Sequence, residues 1–177
     1  MLPAIEYIPD SEVDAALDGQ LRGLLSICFT GPQNERFKRQ RYYSQMPRHR
    51  WIIREQGRVI AHVAVHDKSV GTPVGDLAIG GVAEVAVRPD FRGRGLVRQL
   101  IAAAHADLVW RGVPFAFLFG DHNVYESSGY VPVNNPLRFY DPSRNEWCVR
   151  PDASAMVALL GSTPWPEGEI DLRGPVF

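Results

Sequence analysis

The chain has 177 residues, 45% of them hydrophobic and 22% charged, with a formal net charge of -1. That profile fits one soluble, well-buried globular domain spanning 1–177, and it excludes the strong basic field that draws a protein to nucleic acid or anionic membrane. Two cysteines, Cys28 and Cys148, stand far apart without metal-ligand spacing, so neither a disulfide framework nor a metal site is expected. The first ten residues lack the basic-then-apolar pattern of a leader, and no apolar run reaches the length that spans a bilayer. A cytoplasmic location is the expectation.

In chain order, residues 4–9 alternate as a short strand ending at Pro9. A helix is expected from about Asp10 or Ser11, either of which suits a cap, with Val13, Leu17, Leu21, Leu24, Leu25 and Cys28 on one stripe. A second, shorter helix is expected from Glu35. Residues 50–67 look like a hairpin turning near Gly57, and 77–89 like a third long strand with a bulge at Gly80-Gly81. A helix follows, with Val97, Leu100, Ile101, Ala104 and Leu108 on one face and stop signals at Gly112 and Pro114. "FAFLF" reads as a buried strand, 120–130 as a turn and a brief helix, then three short strands. "DASAMVALL" reads as a last helix, before a tail rich in Pro and Gly. The order gives a mixed α/β fold.

The informative stretch is "AVRPDFRGRGLVRQL". A strand running through glycines directly into a helix leaves several N–H groups free, aimed at one point and backed by the helix dipole. Gly93 and Gly95 let backbone approach an anion, while Arg92 and Arg94 add charge. Spacing alone leaves a solvated turn equally open.

"V-R-P-D-F-R-G-R-G-L-V" resembles the acyl-CoA loop of the GNAT superfamily of N-acetyltransferases, with Arg92 first and Gly95 fourth; Val97 departs from the usual small residue at the last position. "D-H-N-V-Y-E-S-S-G-Y" supplies the superfamily's second motif at Tyr125, Gly129 and Tyr130. The resemblance implies a largely antiparallel central sheet with a splayed strand, flanked by helices. It implies acetyl-CoA as co-substrate, with Arg92, Gly93, Arg94, Gly95, Leu96 and Val97 around the pyrophosphate. Val85, Ala86 and Val87 match the strand whose backbone holds the pantetheine, and Asn123 is a further contact or a helix cap. By the same resemblance Tyr125 is the acid that protonates the leaving thiolate; the plainer reading is a wall residue. Glu84, on the same strand, is the candidate base, with substrate anchor and rim residue as alternatives. His122 is a poorer one. His62, His66 and His105 fall in strand and helix patterns where ordinary packed or surface histidines are usual.

The tail, "WPEGEIDLRGPVF", resembles the ends of the aminoglycoside 2′-N-acetyltransferases and of the rhizobial nodulation acyltransferases, both of which acylate an amine on a sugar. That implies a small-molecule amine acceptor, with Asp171, Glu167, Glu169 and Phe177 near it and residues 161–177 closing the site; packing of the tail on the sheet edge is the plainer reading. The segment from Glu35 to Arg50 carries six Lys/Arg. It suits a solvated face, a phosphate or an acidic carrier. Two other classes stay open: a non-catalytic acyl-CoA sensor, and a longer-chain acyltransferase fed by an acyl carrier protein. A homodimer is an open alternative to a monomer.

Overall fold

The computed structural model describes residues 4–177. They fall into two compact units: one runs to His66 and resumes over Val82–Ala104, the other takes Asp67–Gly81 and His105–Phe177.

In the first unit, β1 (Ile5–Pro9) lies antiparallel to β2 (His49–Glu55), with Tyr7 opposite Trp51. β2 lies antiparallel to β3 (Arg58–Thr72) through the expected hairpin. Gln56 and Gly57 both adopt positive φ, 50° and 77°, the left-handed pair that a two-residue hairpin turn demands. Helix α1 (Ala15–Cys28) buries Leu17, Leu21, Leu24 and Leu25 against Phe37, Ile52, Val59 and Ala86. Its cap is Asp14, whose carboxylate accepts from the Leu17 amide at 2.8 Å, rather than Asp10 or Ser11. Those two sit in a preceding 3-10 turn, Asp10–Glu12, where the Asp10 side chain is claimed by arginines.

The second helix expected here is only a 3-10 turn, Pro32–Lys38, followed by irregular backbone. Side chains take the carbonyls that a helix would use: Arg36 and Gln40 bond the Tyr43 carbonyl, Gln40 that of Tyr42, and Arg50 that of Arg41. β4 (Gly75–Val87) and α2 (Leu96–Trp110) follow, each running on from one unit into the other.

In the second unit the strand order is β6 (Tyr130–Pro132), β9 (Ala155–Leu159), β5 (Phe115–Phe119), β4, β3, β10 (Ile170–Asp171), β7 (Leu137–Asp141), β8 (Glu146–Arg150). Pairing is mostly antiparallel, β4 with β5 and β10 with β7 being parallel. The segment expected as a last helix is strand β9. Ala155 to Ala158 are all buried, and β9 hydrogen-bonds β5 on one side and β6 on the other, so sheet pairing overrides the helical preference of Ala, Met and Leu.

Toward β5, the Gly80-Gly81 pair expected to bulge stays in register with Ala116 and Phe117. The glycines serve close approach. A Cβ on Gly80 would lie 2.5 Å from Leu108, and one on Gly81 2.8 Å from the Phe177 ring. The irregular position of β4 is Glu84, at φ 47°. Among the described residues, no helix is long and apolar enough to cross a membrane.

Candidate active site

Two groups of residues carry the candidate chemistry, one in each unit.

In the first unit, β4 ends in a 3-10 turn, Pro89–Phe91, and the Arg-Gly loop turns into α2 at Leu96. Gly93 and Gly95 hold φ of 74° and 72°, a region costly for residues with a Cβ, and no atom lies within 4 Å of where a Cβ would stand. The amides of Gly93, Arg94 and Gly95 donate to no described backbone group. The loop is braced from behind: Arg92 Nε donates to the Val87 carbonyl, Arg94 donates to the Asp90 carbonyl, and the Arg94 guanidinium lies 4.6 Å over the Phe91 ring. Exposed glycine backbone beside a helix N-terminus and two arginines is the kind of arrangement that can take a phosphate group. Behind it Ala86 and Val87 are buried and Val85 is half-buried, while the Val87 carbonyl also accepts from the Cys28 thiol at 3.3 Å. Burial pushes that thiol's pKa up, so it stays protonated. Leu96 is buried and Val97 half-buried.

Glu84 is the most constrained of the predicted residues. It is a non-glycine in left-handed backbone inside a strand, and only 7% exposed. Such backbone persists where its surroundings impose it, and it clusters at functional sites. Oε1 accepts the Tyr43 amide at 2.9 Å, and Oε2 is buried with no hydrogen-bond partner. Burial is the main cause that pushes the carboxyl pKa up to about 7, against the Tyr43 amide and the Arg50 charge, which favour ionisation.

Around Glu84 runs a polar network that the sequence did not signal as functional. Arg50, fully buried, donates to Asp10 at 2.5 Å and to His62 Nε2 at 3.0 Å; Arg41 holds the other Asp10 oxygen at 2.7 Å and reaches Asp18 at 3.0 Å. Burial works against the charge on Asp10, but Arg41 and Arg50 outweigh it and hold the carboxyl below its usual range. The one available hint was a charged residue, Arg50, directly before the apolar run Trp51-Ile52-Ile53. The basic segment is thereby partly spent internally: Arg41 and Arg50 in this network, Arg36 over the Tyr43 ring at 4.1 Å, Lys38 on Glu35.

In the second unit, α3 (His122–Tyr125) is capped by Asp121, whose carboxylate accepts the Asn123 amide at 2.9 Å, so the cap is Asp121 and not Asn123. Gly120 leaves room for the Tyr125 ring, since a Cβ there would lie 2.5 Å from it. Tyr125 packs edge-on against Tyr130, and its hydroxyl bonds no described group. Burial pushes the Tyr125 pKa up to about 12. The Tyr130 hydroxyl lies 2.9 Å from His105 Nε2; burial raises the phenol's pKa and lowers that of His105 to about 4, so Tyr130 donates to a neutral imidazole. His122 is exposed and pairs with Glu126.

Of the tail residues, Asp171 accepts from Arg138 at 2.7 Å and from the Arg173 amide at 2.8 Å. Phe177 is buried on Gly81 among Phe117 and Phe119, with the Lys68 ammonium 5.1 Å above its ring. Glu167 and Glu169 are exposed. Among the described residues, no cluster of His, Cys, Asp or Glu could hold a metal ion.

A family model described as "Acetyltransferase (GNAT) domain" matches residues 5–133. The chain belongs to this GNAT acetyltransferase family. The match ends before the tail, so the likeness read there is not shown by it. Among curated proteins none matches in sequence. Solved structures confirm the fold. The GNAT family N-acetyltransferase YhbS of Escherichia coli, in complex with CoA, superposes with a TM-score of 0.64 at 21% identity, over 97% of this chain and 92% of that one. A GNAT family acetyltransferase of Brucella melitensis, in complex with acetyl-CoA, gives 0.61 at 18%, over 96% of each chain. ElaA of Escherichia coli gives 0.62 at 15%, over 89% and 99%.

Proposed function

We propose that the protein is an acetyl-CoA-dependent N-acetyltransferase that passes the acetyl group directly to a primary amine of a small molecule. The observation that carries this reading is Glu84: a buried carboxylate in imposed backbone, with one unbonded oxygen and a pKa of about 7, suited to accept a proton near neutral pH. The Arg-Gly loop holds the pyrophosphate of the donor, through the amides of Gly93 to Gly95 and the charges of Arg92 and Arg94.

As the amine nitrogen bonds the thioester carbonyl carbon, Glu84 takes its proton, directly or through a water. The electron pair of the C=O moves to oxygen, which a backbone N–H near Val87 stabilises. Collapse re-forms C=O and breaks C–S, and the thiolate takes the Tyr125 proton. A phenol with its pKa near 12 is protonated at every working pH, so it is always loaded as a donor. Positioning supplies much of the acceleration.

For the acceptor, the tail supports an aminosugar through the exposed carboxylates of Glu167 and Glu169; Asp171 and Phe177 already have partners of their own. The test is thiol release from acetyl-CoA with glucosamine, an aminoglycoside, spermidine, lysine and a lysine peptide, with product masses. Tyr125→Phe is expected to keep acetyl-CoA binding and to lose about 10- to 100-fold in kcat. Turnover on the peptide alone would overturn the aminosugar assignment. Acetyl-CoA binding with no turnover on any amine would favour a sensor.

A further inference from the structure

We propose that His62 is a positioning residue for Glu84, fixing the left-handed strand residue from which the base works. This rests on the reading of Glu84 as the base. Both ring nitrogens of His62 are engaged. Nε2 faces Arg50 Nη1 at 3.0 Å, and a guanidinium only donates, so Nε2 accepts. The proton therefore sits on Nδ1, which donates to the Glu84 carbonyl at 2.8 Å. The tautomer is fixed by its neighbours, not by titration. Burial first, and the Arg50 charge second, push the imidazole pKa down to about 3, so the ring stays neutral at any working pH.

The contact is placed where it is needed. A left-handed residue inside a strand turns its carbonyl out of the ladder, and a buried carbonyl without a partner is costly. His62 supplies that partner from β3. The ring is itself held by Arg50 of β2, which is braced by Asp10 and by the Arg41 carbonyl, with Arg41 in turn on Asp10 and Asp18. Asp10, Arg41, Arg50 and His62 are thus the titratable or charged groups set about Glu84, and one imidazole joins them to its backbone. Without His62 the backbone can relax toward ordinary strand geometry, which swings the carboxyl away from the Tyr43 amide and toward water.

The test compares pH profiles of kcat/KM for the wild type, His62→Leu, His62→Asn and Glu84→Gln, with acetyl-CoA and glucosamine, or whichever panel amine turns over fastest. An asparagine Nδ2 stands where Nδ1 stood and can donate to the Glu84 carbonyl; leucine cannot. The wild type should lose activity below about pH 7. His62→Leu should lose about 10-fold or more in kcat, with the acidic limb moving toward the ordinary carboxyl value of 4.5 and the KM for acetyl-CoA unchanged; His62→Asn should recover most of both. A His62→Leu enzyme with wild-type kcat and limb, beside a crippled Glu84→Gln, would overturn the positioning role and leave the base standing. A Glu84→Gln enzyme keeping the limb would overturn the base, and this inference with it. Nitrogen-15 NMR of the wild-type imidazole gives a readout independent of activity and of variant folding. A neutral Nδ1–H signal constant from about pH 5 to 9 supports the assignment, and a ring titrating near its ordinary value of about 6.5 overturns it.

Discussion

Glu84→Gln should make the protein more stable at neutral pH while removing its activity. Glutamine keeps the shape and an oxygen for the Tyr43 amide, but carries no charge into the buried position. The wild-type carboxyl rises from its usual 4.5 to about 7 on folding, mainly because burial disfavours the ionised form. At about 1.4 kcal/mol for each tenfold change in proton affinity, that rise is worth about 3 kcal/mol. The sign follows from proton uptake. Between pH 4.5 and 7 the folded state holds the proton more firmly than the unfolded chain does. Stability from the neutral carboxyl is therefore complete below about pH 4.5 and lost as pH climbs to about 7. Urea unfolding of wild type and Glu84→Gln at pH 5 and pH 8 measures this directly. The variant should gain about 2–3 kcal/mol on the wild type between the two conditions, with unchanged slope in denaturant. An equal difference at both pH values would refute the claim that Glu84 is held at raised proton affinity.

Asp10→Asn should cost about 3–5 kcal/mol in urea unfolding, because it leaves the fully buried Arg50 without its counter-charge; a loss below about 1 kcal/mol would show that the pair is replaceable. Because the Asp10 carboxyl is held below its usual range, its contribution should be present above about pH 4 and fade as pH falls through the folded value. Gly95→Val places a β-branched residue at φ 72° and should weaken acetyl-CoA binding by about 10-fold or more in calorimetry, while a variant binding like wild type would remove the loop from the pyrophosphate site. Gly81→Ala puts a methyl 2.8 Å from the Phe177 ring and should cost about 1–3 kcal/mol in thermal or urea unfolding.

What could be read from the chain was what local pattern dictates. The α1 stripe, the Gln56-Gly57 hairpin and the glycines of the Arg-Gly loop each follow from spacing within a few residues. What could not be read depended on partners distant in sequence. The residues of β9 look helical alone, and become strand because β5 and β6 flank them. The break in β4 was expected at Gly80-Gly81 for their flexibility. The left-handed residue of β4 is Glu84, whose turned-out carbonyl accepts from His62, while the glycines make room for Leu108 and Phe177. His62 read as an ordinary packed or surface histidine, since nothing local reveals that its two nitrogens meet Arg50 and Glu84.

The Tyr43 amide has a consequence of its own. It is the hydrogen-bond donor on Glu84 Oε1, and it belongs to the irregular stretch between the 3-10 turn at Pro32–Lys38 and β2, held there by Arg36 and Gln40. Keeping that bond favours the ionised carboxylate; breaking it raises the carboxyl's affinity for a proton still further. Burial sets most of that affinity and a segment outside the sheet trims it; under the proposed role of Glu84 as base, an acceptor that shifts Tyr43 on binding would retune the carboxyl.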